Sequence, residues 1–338
     1  MNINQAIKAV ISKKDLNEGE MLDVMNSIMT GQTTDAQIGA FLIGLSMKGE
    51  TIEEITASAK VMRSLATSVE LSSTEYLVDT CGTGGDGLGL FNISTASAFV
   101  VAAAGGKVAK HGNRSISSKS GSADVLEAAG INLNLSPKVI SECIEKIGVG
   151  FMFAPAHHSA MKHAIGPRKE LAVRTIFNVL GPLTNPAKAP NQVIGVYDRN
   201  LVEPIANVLK SLKSRHVMVV HSADGLDEFS VADKTFVAEL YNDEVSTYSV
   251  HPDDFGLKLG NLNDIKAENA DESLSLIYEA FSGHNGTAKN IIALNAGAAI
   301  YVSGLEDTLS SGIEKASKVL SDGSAKEKFD EYIFASNN

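Results

Sequence analysis

Residues 76–106 read YLVDTCGTGGDGLGLFNISTASAFVVAAAGG, and this stretch decides the fold class. Its first four residues, Tyr76–Asp79, are mostly apolar and predict a short buried strand. They lead into GTGGDG at Gly82–Gly87, a glycine-rich loop, and then into Ser94–Ala104, which predicts a helix. A strand, a glycine loop and a helix in this order are typical of the repeating unit of an α/β fold.

Short apolar segments separated by helices continue this pattern along the chain. We predict further buried strands at Lys107–Lys110, Val149–Phe153, Gln192–Val196 and His216–His221. Strands that alternate with helices indicate a mostly parallel sheet covered on both faces. Thr235–Leu240 and Glu244–Val250 predict a hairpin instead, and the tail from residue 269 predicts helices.

The first 66 residues predict an all-helical unit. Asn17 precedes apolar residues at helical spacing. Thr34 with Gln37, and Thr51 with Glu54, form two capping boxes, in which the hydroxyl caps a free N–H and the longer side chain reaches back. These start signals indicate consecutive helices rather than strands.

The change of pattern predicts two domains. We expect a small all-helical domain of residues 1–66, joined by part of 166–190, and a larger α/β domain of residues 72–338 with a mostly parallel central sheet. The segment LGPLTNP at Leu180–Pro186 carries loop-forming glycine, proline and asparagine, and is expected to connect the two domains.

The composition is that of an ordinary globular protein. Of 338 residues, 44% are hydrophobic and 20% are charged, which excludes wholesale disorder. The 29 basic and 40 acidic residues give a formal net charge of −11. This charge argues against nucleic acid as a partner and leaves room for a local basic pocket that binds a small anion.

The chain carries no signal of secretion or membrane insertion. Cys81 and Cys143 suit a reducing compartment and provide neither a disulfide framework nor a zinc site. Residues 1–17 lack the continuous apolar stretch of a signal peptide. The longest apolar run, residues 98–106, is shorter than the ~20 residues that cross a bilayer. We expect a soluble, cytoplasmic protein with no membrane partner.

The glycine loop is a candidate phosphate site. Glycines let the backbone approach a phosphate closely, and the start of the next helix at Asn92–Thr95 favours an anion through its free N–H groups. The loop lacks the GK[ST] ending of a P-loop and the acidic residue of a dinucleotide fingerprint. Taken alone, it fits a tight connection equally well.

A second loop, Lys110–Ser122, is a candidate anion site. It holds three cations and five serine hydroxyls with no acidic residue, within an acidic chain. A solvated surface loop is the alternative, but this density of donors after a strand favours an anion. Two separate anion-binding loops indicate a ligand with phosphates at both ends.

A third loop, Asp224–Ser230, carries three carboxylates and is a candidate Mg²⁺ site, because hard oxygen ligands beside phosphates hold this ion. Considered alone, it fits an acidic surface turn better.

His157, His158 and His163 match no metal template and predict a mixture of packing and pocket lining. The planar guanidinium of Arg168 is suited to pair with a carboxylate, and an ordinary surface arginine is the alternative.

Together these segments resemble the anthranilate phosphoribosyltransferase family. The matching motifs span nearly the whole chain: GTGGDG at Gly82–Gly87, FNISTA at Phe91–Ala96, KHGNR at Lys110–Arg114, SSKSGSADVLEA at Ser117–Ala128, RTIFNVLGPLTNP at Arg174–Pro186 and DGLDE at Asp224–Glu228. The resemblance implies a nucleoside phosphorylase/phosphoribosyltransferase-like fold, a homodimer, Mg²⁺ as cofactor, and two substrates, phosphoribosyl pyrophosphate (PRPP) and anthranilate. The reaction would join the phosphoribosyl group to the amine of anthranilate and release diphosphate.

The resemblance also implies the site residues. PRPP would be bound by Gly82, Gly85, Asp86, Asn92, Ile93, Ser94, Thr95, Lys110, His111, Gly112, Asn113, Arg114, Ser115, Ile116, Ser117, Ser118 and Ser122. Anthranilate would be bound by Gly82, Asn113, His158 and Arg168. Mg²⁺ would be held by Ser94, Asp227 and Glu228. No residue is assigned as a general base.

Two positions depart from the family pattern. Leu90 stands where the family usually has a threonine or serine hydroxyl near the phosphates, which puts one pyrophosphate contact in question. Ser159 replaces the proline that commonly follows the histidine pair.

Two other functions remain as alternatives. A pyrimidine nucleoside phosphorylase is similar in fold and uses a phosphate loop rich in lysine and serine, but it should not need Asp227 and Glu228 for Mg²⁺. A non-catalytic relative that binds nucleic acid should show a basic stripe and a steep salt dependence, against which the net charge argues.

Overall fold

The computed structural model describes residues 1–115 and 119–338, and its first part is helical. Four helices are formed: α1 (Ile3–Ile11), α2 (Glu18–Met29), α3 (Asp35–Lys48) and α4 (Ile52–Leu65). The predicted start signals are confirmed. The side chains of Asn17, Thr34 and Thr51 each cap their helix through a reciprocal capping box.

A seven-stranded sheet forms the centre of the remaining chain. Its strands are β1 (Leu77–Thr80), β2 (Lys107–Gly112), β3 (Val149–Phe153), β4 (Asn191–Gly195), β5 (His216–Ser222), β6 (Thr235–Tyr241) and β7 (Glu244–Val250). Their order is β3-β2-β1-β4-β5-β6-β7. The first five strands are mutually parallel and β6 and β7 are antiparallel, so the predicted mostly parallel sheet is confirmed.

The predicted hairpin is β6–β7. Asn242 and Asp243 connect the two strands, and both have left-handed backbone conformations, with φ of 51° and 62°. Two successive left-handed residues make the tight turn whose twist matches that of the flanking strands. Asparagine and aspartate tolerate this conformation better than most residues.

Helices cover both faces of the sheet. They are α5 (Ile93–Ala103), α6 (Ser122–Ala128), α7 (Pro137–Lys146), α8 (Ala154–His157), α9 (Lys162–Leu171), α10 (Phe177–Leu180), α11 (Val202–Ser211), α12 (Ala270–Phe281), α13 (Thr287–Ser303), α14 (Leu309–Asp322) and α15 (Ser324–Ser336). The predicted helix at Ser94–Ala104 is α5, shifted by one residue. In the described ranges 1–115 and 119–338, no helix is both long and apolar enough to cross a membrane.

Alternating side chains of the parallel strands enter two different cores. Met218 and Val220 of β5 pack on one side with α5 and α13–α15. Val217 and Val219 of the same strand pack on the other side with α11 and the N-terminal helices. This alternation follows from the two-residue period of a strand, and it explains why the strands are apolar throughout.

The segment Leu180–Pro186 leads from α10 towards β4 and is buried except at Gly181. Leu183 belongs to the core shared with the N-terminal helices. Its carbonyl oxygen accepts a hydrogen bond of 2.7 Å from Nε of Arg63 in α4. Asn185 is 3% exposed and lies beneath β1 and β2. The segment therefore ties the N-terminal helices to the underside of the sheet.

Candidate active site

The strand order predicts a cleft at the carboxyl ends of the neighbouring strands β1 and β4. From β1 the chain crosses to β2 and β3 on one side, whereas β4 lies on the other side and leads to β5. In open parallel sheets, ligands bind at the carboxyl ends of the strands at such a point of reversal. The loops that follow β1 and β4 meet there.

The glycine loop lies against the end of β4. Thr83 donates its backbone N–H to the carbonyl oxygen of Gly195 over 2.9 Å, and its Oγ1 accepts a hydrogen bond of 3.0 Å from the backbone N–H of Tyr197. Gly84 and Gly85 have φ of 65° and 80°, in the left-handed region that favours glycine. The loop thus turns sharply back over the sheet.

Arg174 holds this loop from the opposite side. Its guanidinium donates to the carbonyl oxygen of Gly85 and lies over the ring of Tyr197, 3.9 Å from the ring centroid. Arg174 belongs to the segment between α9 and α10, so it links that segment to the glycine loop. The sequence offered no local signal for this contact, because Arg174 and Gly85 are far apart in the chain.

The start of α5 offers backbone donors to the cleft. Asn92 precedes this helix but makes no side-chain cap, so its side chain is used elsewhere. Its Oδ1 accepts hydrogen bonds from Ser273 and Ser120, at 2.8 Å and 3.2 Å. Ser94 and Thr95 are in the first turn, where uncapped N–H groups and the helix dipole favour an anion.

Lys110 and His111 lie at the end of β2 rather than in a loop, because this strand extends to Gly112. The Lys110 side chain is nearly buried and donates to the carbonyl oxygen of Thr80 and, over 3.3 Å, to Oγ of Ser94. Its ammonium therefore lies between the end of β1 and the start of α5, at the floor of the cleft.

Ion pairs connect the described part of the second loop to α6. Arg114 pairs with Asp124 and Glu127 over 3.1 Å and 2.7 Å, so its guanidinium is engaged by carboxylates in this structure. A Cβ on Gly121 would lie 2.4 Å from the Ser115 nitrogen, so the loop ends pass very close together. The predicted contacts of Ile116, Ser117 and Ser118 lie outside the described residues.

Two further residues pack at the root of this loop. A Cβ on Gly112 would lie 2.2 Å from Oγ of Ser122. That hydroxyl donates to the carbonyl oxygen of Asn113 over 3.3 Å. The predicted PRPP residues Gly112, Asn113 and Ser122 are therefore mutual neighbours.

Three carboxylates converge beside the glycine loop. Gly84 donates its N–H to Oδ2 of Asp227 over 2.8 Å, and Asp227 also shares a hydrogen bond with Asp86. Glu228 is hydrogen-bonded to Ser94. Burial raises the pKa of Glu228 to about 8 and of Asp227 to about 7, and the neighbouring carboxylates add to both shifts.

This donor set suits a hard divalent cation. Clustered carboxylates repel one another and therefore hold protons near neutral pH. A bound cation can replace those protons and neutralise the negative charge of the carboxylates. Asp227, Glu228 and the Ser94 hydroxyl supply oxygen ligands, and Mg²⁺ usually takes only one or two carboxylates beside phosphates and water. Within residues 1–115 and 119–338 no three or more histidine, cysteine or acidic side chains are grouped so that they could hold a metal ion, and the oxygen ligands named above are two carboxylates and one hydroxyl.

Asp224 and Asn295 shape the acidic loop. Asp224 accepts hydrogen bonds from Ser222 and Ser230, at 2.6 Å and 2.5 Å, so it holds the loop closed instead of pointing into the cleft. Asn295 of α13 exchanges two hydrogen bonds of 2.9 Å with the backbone of Phe229. Sequence reasoning missed Asn295, since nothing near it in the chain indicates a distant loop.

The three histidines of the fourth segment have different environments. His157 Nδ1 bonds the carbonyl oxygen of Thr67 over 2.8 Å, and the His163 ring packs against Gly31. The His158 ring centroid lies 5.0 Å from that of His111. Burial, together with the adjacent His157, lowers the pKa of His158 to about 4, so its imidazole is neutral at pH 7.

Burial also shifts the pKa values of His111 and Arg168. Burial, with the neighbouring histidines, lowers the pKa of His111 well below its usual range. The Arg168 guanidinium lies over the ring of Phe177, 5.3 Å from its centroid, and burial lowers its pKa. Across the described part of the chain, no carboxylate forms an ion pair with Arg168.

Leu90, one of the two departures, packs into the protein. Its side chain contacts the core formed with α5 and α13, and its backbone bridges to Lys266. The second departure, Ser159, begins a short 3₁₀ turn after α8. Leu90 therefore contributes packing at a position where the family pattern has a hydroxyl.

Comparison with protein families matches two models to this chain. The glycosyl transferase family, helical bundle domain, matches residues 4–66. The glycosyl transferase family, a/b domain, matches residues 74–326. The two matches follow the helical and α/β parts of the structure.

The relatives and the solved structure described next are all named anthranilate phosphoribosyltransferase. Anthranilate phosphoribosyltransferases of Ruthia magnifica subsp. Calyptogena magnifica and Marinomonas sp. (strain MWYL1) are 69% and 62% identical to this chain, over 98% of its length and 98% and 96% of theirs. The crystal structure of the anthranilate phosphoribosyltransferase of Thermus thermophilus has a TM-score of 0.93 and 39% identity, covering 98% of this chain and 99% of that one.

A second solved structure is described with ligands. The anthranilate phosphoribosyltransferase of Saccharomyces cerevisiae in complex with PRPP and Mg has a TM-score of 0.90 and 26% identity, covering 99% of this chain and 98% of that one. Fold, domain models and sequence identity over nearly the whole length agree, and the chain belongs to the anthranilate phosphoribosyltransferase family.

Proposed function

We propose that this chain transfers the phosphoribosyl group of PRPP to the amine of anthranilate, giving N-(5-phosphoribosyl)anthranilate and diphosphate. The observation that carries the proposal is the convergence of Gly84, Lys110, Ser94, Asp227 and Glu228 at the reversal point of the sheet. Backbone donors, a buried cation and paired carboxylates are the groups that a pyrophosphate bound with a divalent cation requires. The Saccharomyces relative in complex with PRPP and Mg supports this assignment.

The protein stabilises charge that develops during bond cleavage. Breaking the bond between ribose C1 and pyrophosphate builds negative charge on the leaving group and positive charge on the ribose. Lys110 and the N–H groups at the start of α5 are already in place, so no reorganisation is needed when the charge appears. Their fixed positions on β2 and α5 supply the rate enhancement through electrostatics and alignment.

Asp227, Glu228 and Ser94 are the residues that would hold Mg²⁺. When bound, this ion neutralises charge on the departing pyrophosphate. The glycine loop contributes by holding the Asp227 carboxylate through the N–H of Gly84.

Anthranilate needs a cationic group that binds its carboxylate and flat side chains that contact its aromatic ring. Arg168 provides a guanidinium without an acidic partner in the described ranges, and its fork geometry suits a carboxylate. The neutral imidazoles of His158 and His111, whose centroids lie 5.0 Å apart, are the flat surfaces that we propose for the aromatic ring. Gly82 and Asn113 complete the anthranilate residues that we propose. The amine must lose a proton, and no residue is assigned to remove it.

We also propose the domain division of residues 1–66, joined by part of 166–190, and 72–338. Contacts between His163 and Gly31, and between Arg63 and Leu183, support the assignment of α9 and the following segment to the helical domain. A cleft between two such units would allow closure over the substrates.

A homodimer formed through the helical domain is part of the proposal. Ile11 and Met47, at the ends of α1 and α3, are 68% and 80% exposed although both are apolar, and a second copy would cover them.

A cytoplasmic location is proposed as well, because the thiols of Cys81 and Cys143 are unpaired.

The reaction can be tested by following its phosphorus products. We expect ³¹P NMR of purified protein with PRPP, anthranilate and Mg²⁺ to show stoichiometric release of diphosphate, and mass spectrometry to show the ribosylated amine. Diphosphate release without anthranilate consumption would contradict the transfer. Phosphate-dependent cleavage of thymidine or uridine would instead indicate a phosphorylase.

A further inference from the structure

The strands β1 and β2 are paired only at their amino ends in the part of the chain that the structure describes. The register joins Leu77 to Lys107 and Val78 to Val108. Beyond these pairs, β1 continues alongside β4 and β2 continues alongside β3. The two strands therefore separate just before each one leads into the candidate active site.

Two buried side chains fill the space where the strands separate. Asp79 is fully buried and Asn185 is 3% exposed. Asp79 Oδ1 accepts the backbone N–H of His111 over 3.2 Å. Asn185 Nδ2 donates to Asp79 Oδ2 over 2.7 Å and to the carbonyl oxygen of Ala109 over 2.8 Å. These side chains replace the backbone ladder between β1 and β2.

The orientation of the pair is fixed. Asn185 Oδ1 accepts the backbone N–H of Ala187 over 2.8 Å, so its amide nitrogen must face Asp79. The charge of Lys110 acts on Asp79 and partly offsets the cost of burying its carboxylate. Asp79 forms no direct ion pair within residues 1–115 and 119–338, and burying a carboxylate in this way costs free energy, which points to a requirement for this geometry.

The separation of the strands determines where the substrate-facing groups lie. β1 leads to the glycine loop at Gly82–Gly87, and β2 carries Lys110 and His111. Resting on the proposed function, we propose that Asp79 and Asn185 are positioning residues, which set the distance between the glycine loop and the Lys110–His111 pair. They touch neither substrate and act through the backbone of β2.

The pair allows a swap experiment. In Asp79→Asn two amide groups face each other, and in Asn185→Asp two carboxylates do. In the double variant, asparagine at 79 accepts from His111 and donates to aspartate at 185, which still accepts from Ala187. The carbonyl oxygen of Ala109 loses its donor and faces an oxygen of the new carboxylate instead, so the recovery is expected to be partial. The swap therefore rebuilds most of the network without changing the size of either side chain.

The readout is steady-state kinetics for PRPP together with the Tm of each variant. We expect each single variant to lower kcat/KM for PRPP roughly 10-fold or more, since small displacements of aligned groups have large effects on rate. The double variant is expected to recover part of this loss and to be faster than either single variant. Asn191→Ala is the matched control, because Asn191 is buried and donates to the carbonyl oxygen of Leu77 at the other end of β1. It should lower Tm while leaving kcat/KM near that of the wild type.

Three outcomes would overturn the inference. Single variants with wild-type kcat/KM would do so, as would a double variant as slow as the slower single variant. A loss of kcat/KM in Asn191→Ala equal to that of the single variants would show a general effect of instability. An inactive wild type would contradict the proposed function and the inference together, whereas an active wild type with unaffected variants contradicts the inference alone.

Discussion

The carbonyl oxygen of Asp227 lies 1.4 Å from the point that a Cβ on Gly195 would occupy. Gly195 ends β4, and Asp227 lies in the acidic loop after β5, so the absence of a side chain at one residue lets the other reach the cleft. The same close approach brings Asp227 to the N–H of Gly84. The position of a carboxylate proposed to hold Mg²⁺ thus depends on a glycine in a neighbouring strand.

Gly195→Ala should displace Asp227 and abolish most activity. The clash is with backbone, which cannot rotate away, so we expect kcat/KM to fall on the order of 100-fold and stability to drop by about 1–3 kcal/mol. Steady-state kinetics and urea unfolding measure the two effects. Gly286→Ala is the control, since a Cβ there meets no atom within 4 Å. Wild-type activity in Gly195→Ala would show that the loop position is not critical.

Arg168→Ala should weaken anthranilate binding and leave PRPP binding nearly intact. Loss of a charge-assisted hydrogen bond to a carboxylate predicts an increase of KM for anthranilate of roughly 10-fold or more. Lys169→Ala removes a neighbouring exposed charge and serves as control. A normal KM for anthranilate in Arg168→Ala would exclude the proposed carboxylate contact.

Asp227→Asn combined with Glu228→Gln should remove activity and metal dependence together. The amides keep the shape of the carboxylates but lose their charge, so Mg²⁺ binding weakens strongly. Titrating activity against Mg²⁺ measures the effect, and Asp233→Asn, an exposed position after the loop, is the control. Full activity of the double variant at ordinary Mg²⁺ concentrations would contradict the metal assignment.

Mg²⁺ binding should release protons near neutral pH. The pKa values of Asp227 and Glu228 are raised to about 7 and about 8, so the metal-free carboxylates are partly protonated at pH 7 and must lose protons when a cation binds. Affinity should therefore fall as the pH decreases below 7. Isothermal titration calorimetry in buffers of different ionisation enthalpy measures the proton count. Heats that are identical across buffers at pH 6.5 would contradict this linkage.

Lys48→Met should destabilise the helical domain without affecting the substrate site. The Lys48 side chain is 3% exposed and pairs with Glu54 over 2.9 Å, and Glu54 is fully buried. Removing the cation leaves an unpaired buried carboxylate, which costs about 3 kcal/mol. Chemical unfolding measures this loss, and Lys60→Met, from a half-exposed pair with Glu18, provides the comparison. Equal free energies of unfolding for the two variants would show that burial of the Lys48–Glu54 pair does not increase the cost of removing its cation.

Local patterns in the sequence are sufficient for most of the fold. The capping boxes at Thr34 and Thr51 and the hairpin at Asn242-Asp243 rest on interactions between near neighbours, which a single sequence displays. The parallel strands are predictable as apolar runs that alternate with helices, whereas their pairing is long-range. The predicted strand Lys107–Lys110 ends two residues before β2 does, because His111 is polar yet buried and Gly112 is of a residue type that favours loops.

The groups that support the site could not be predicted in the same way. Gly195, Asn295 and Asn185 act on segments between 32 and 106 residues distant, and each sits among apolar or loop-forming neighbours that indicate only packing or a turn. Their roles depend on the strand order, which local periodicity does not contain. Arg114, expected from the resemblance to contact PRPP, is here engaged by Asp124 and Glu127.

The transfer reaction itself is tested most directly by anthranilate fluorescence. Purified protein is mixed with anthranilate, PRPP and Mg²⁺, and the assay is repeated with each component omitted and with EDTA. We expect a loss of fluorescence that requires all components and is abolished by EDTA. Unchanged fluorescence at high protein concentration, in the complete mixture, would contradict it.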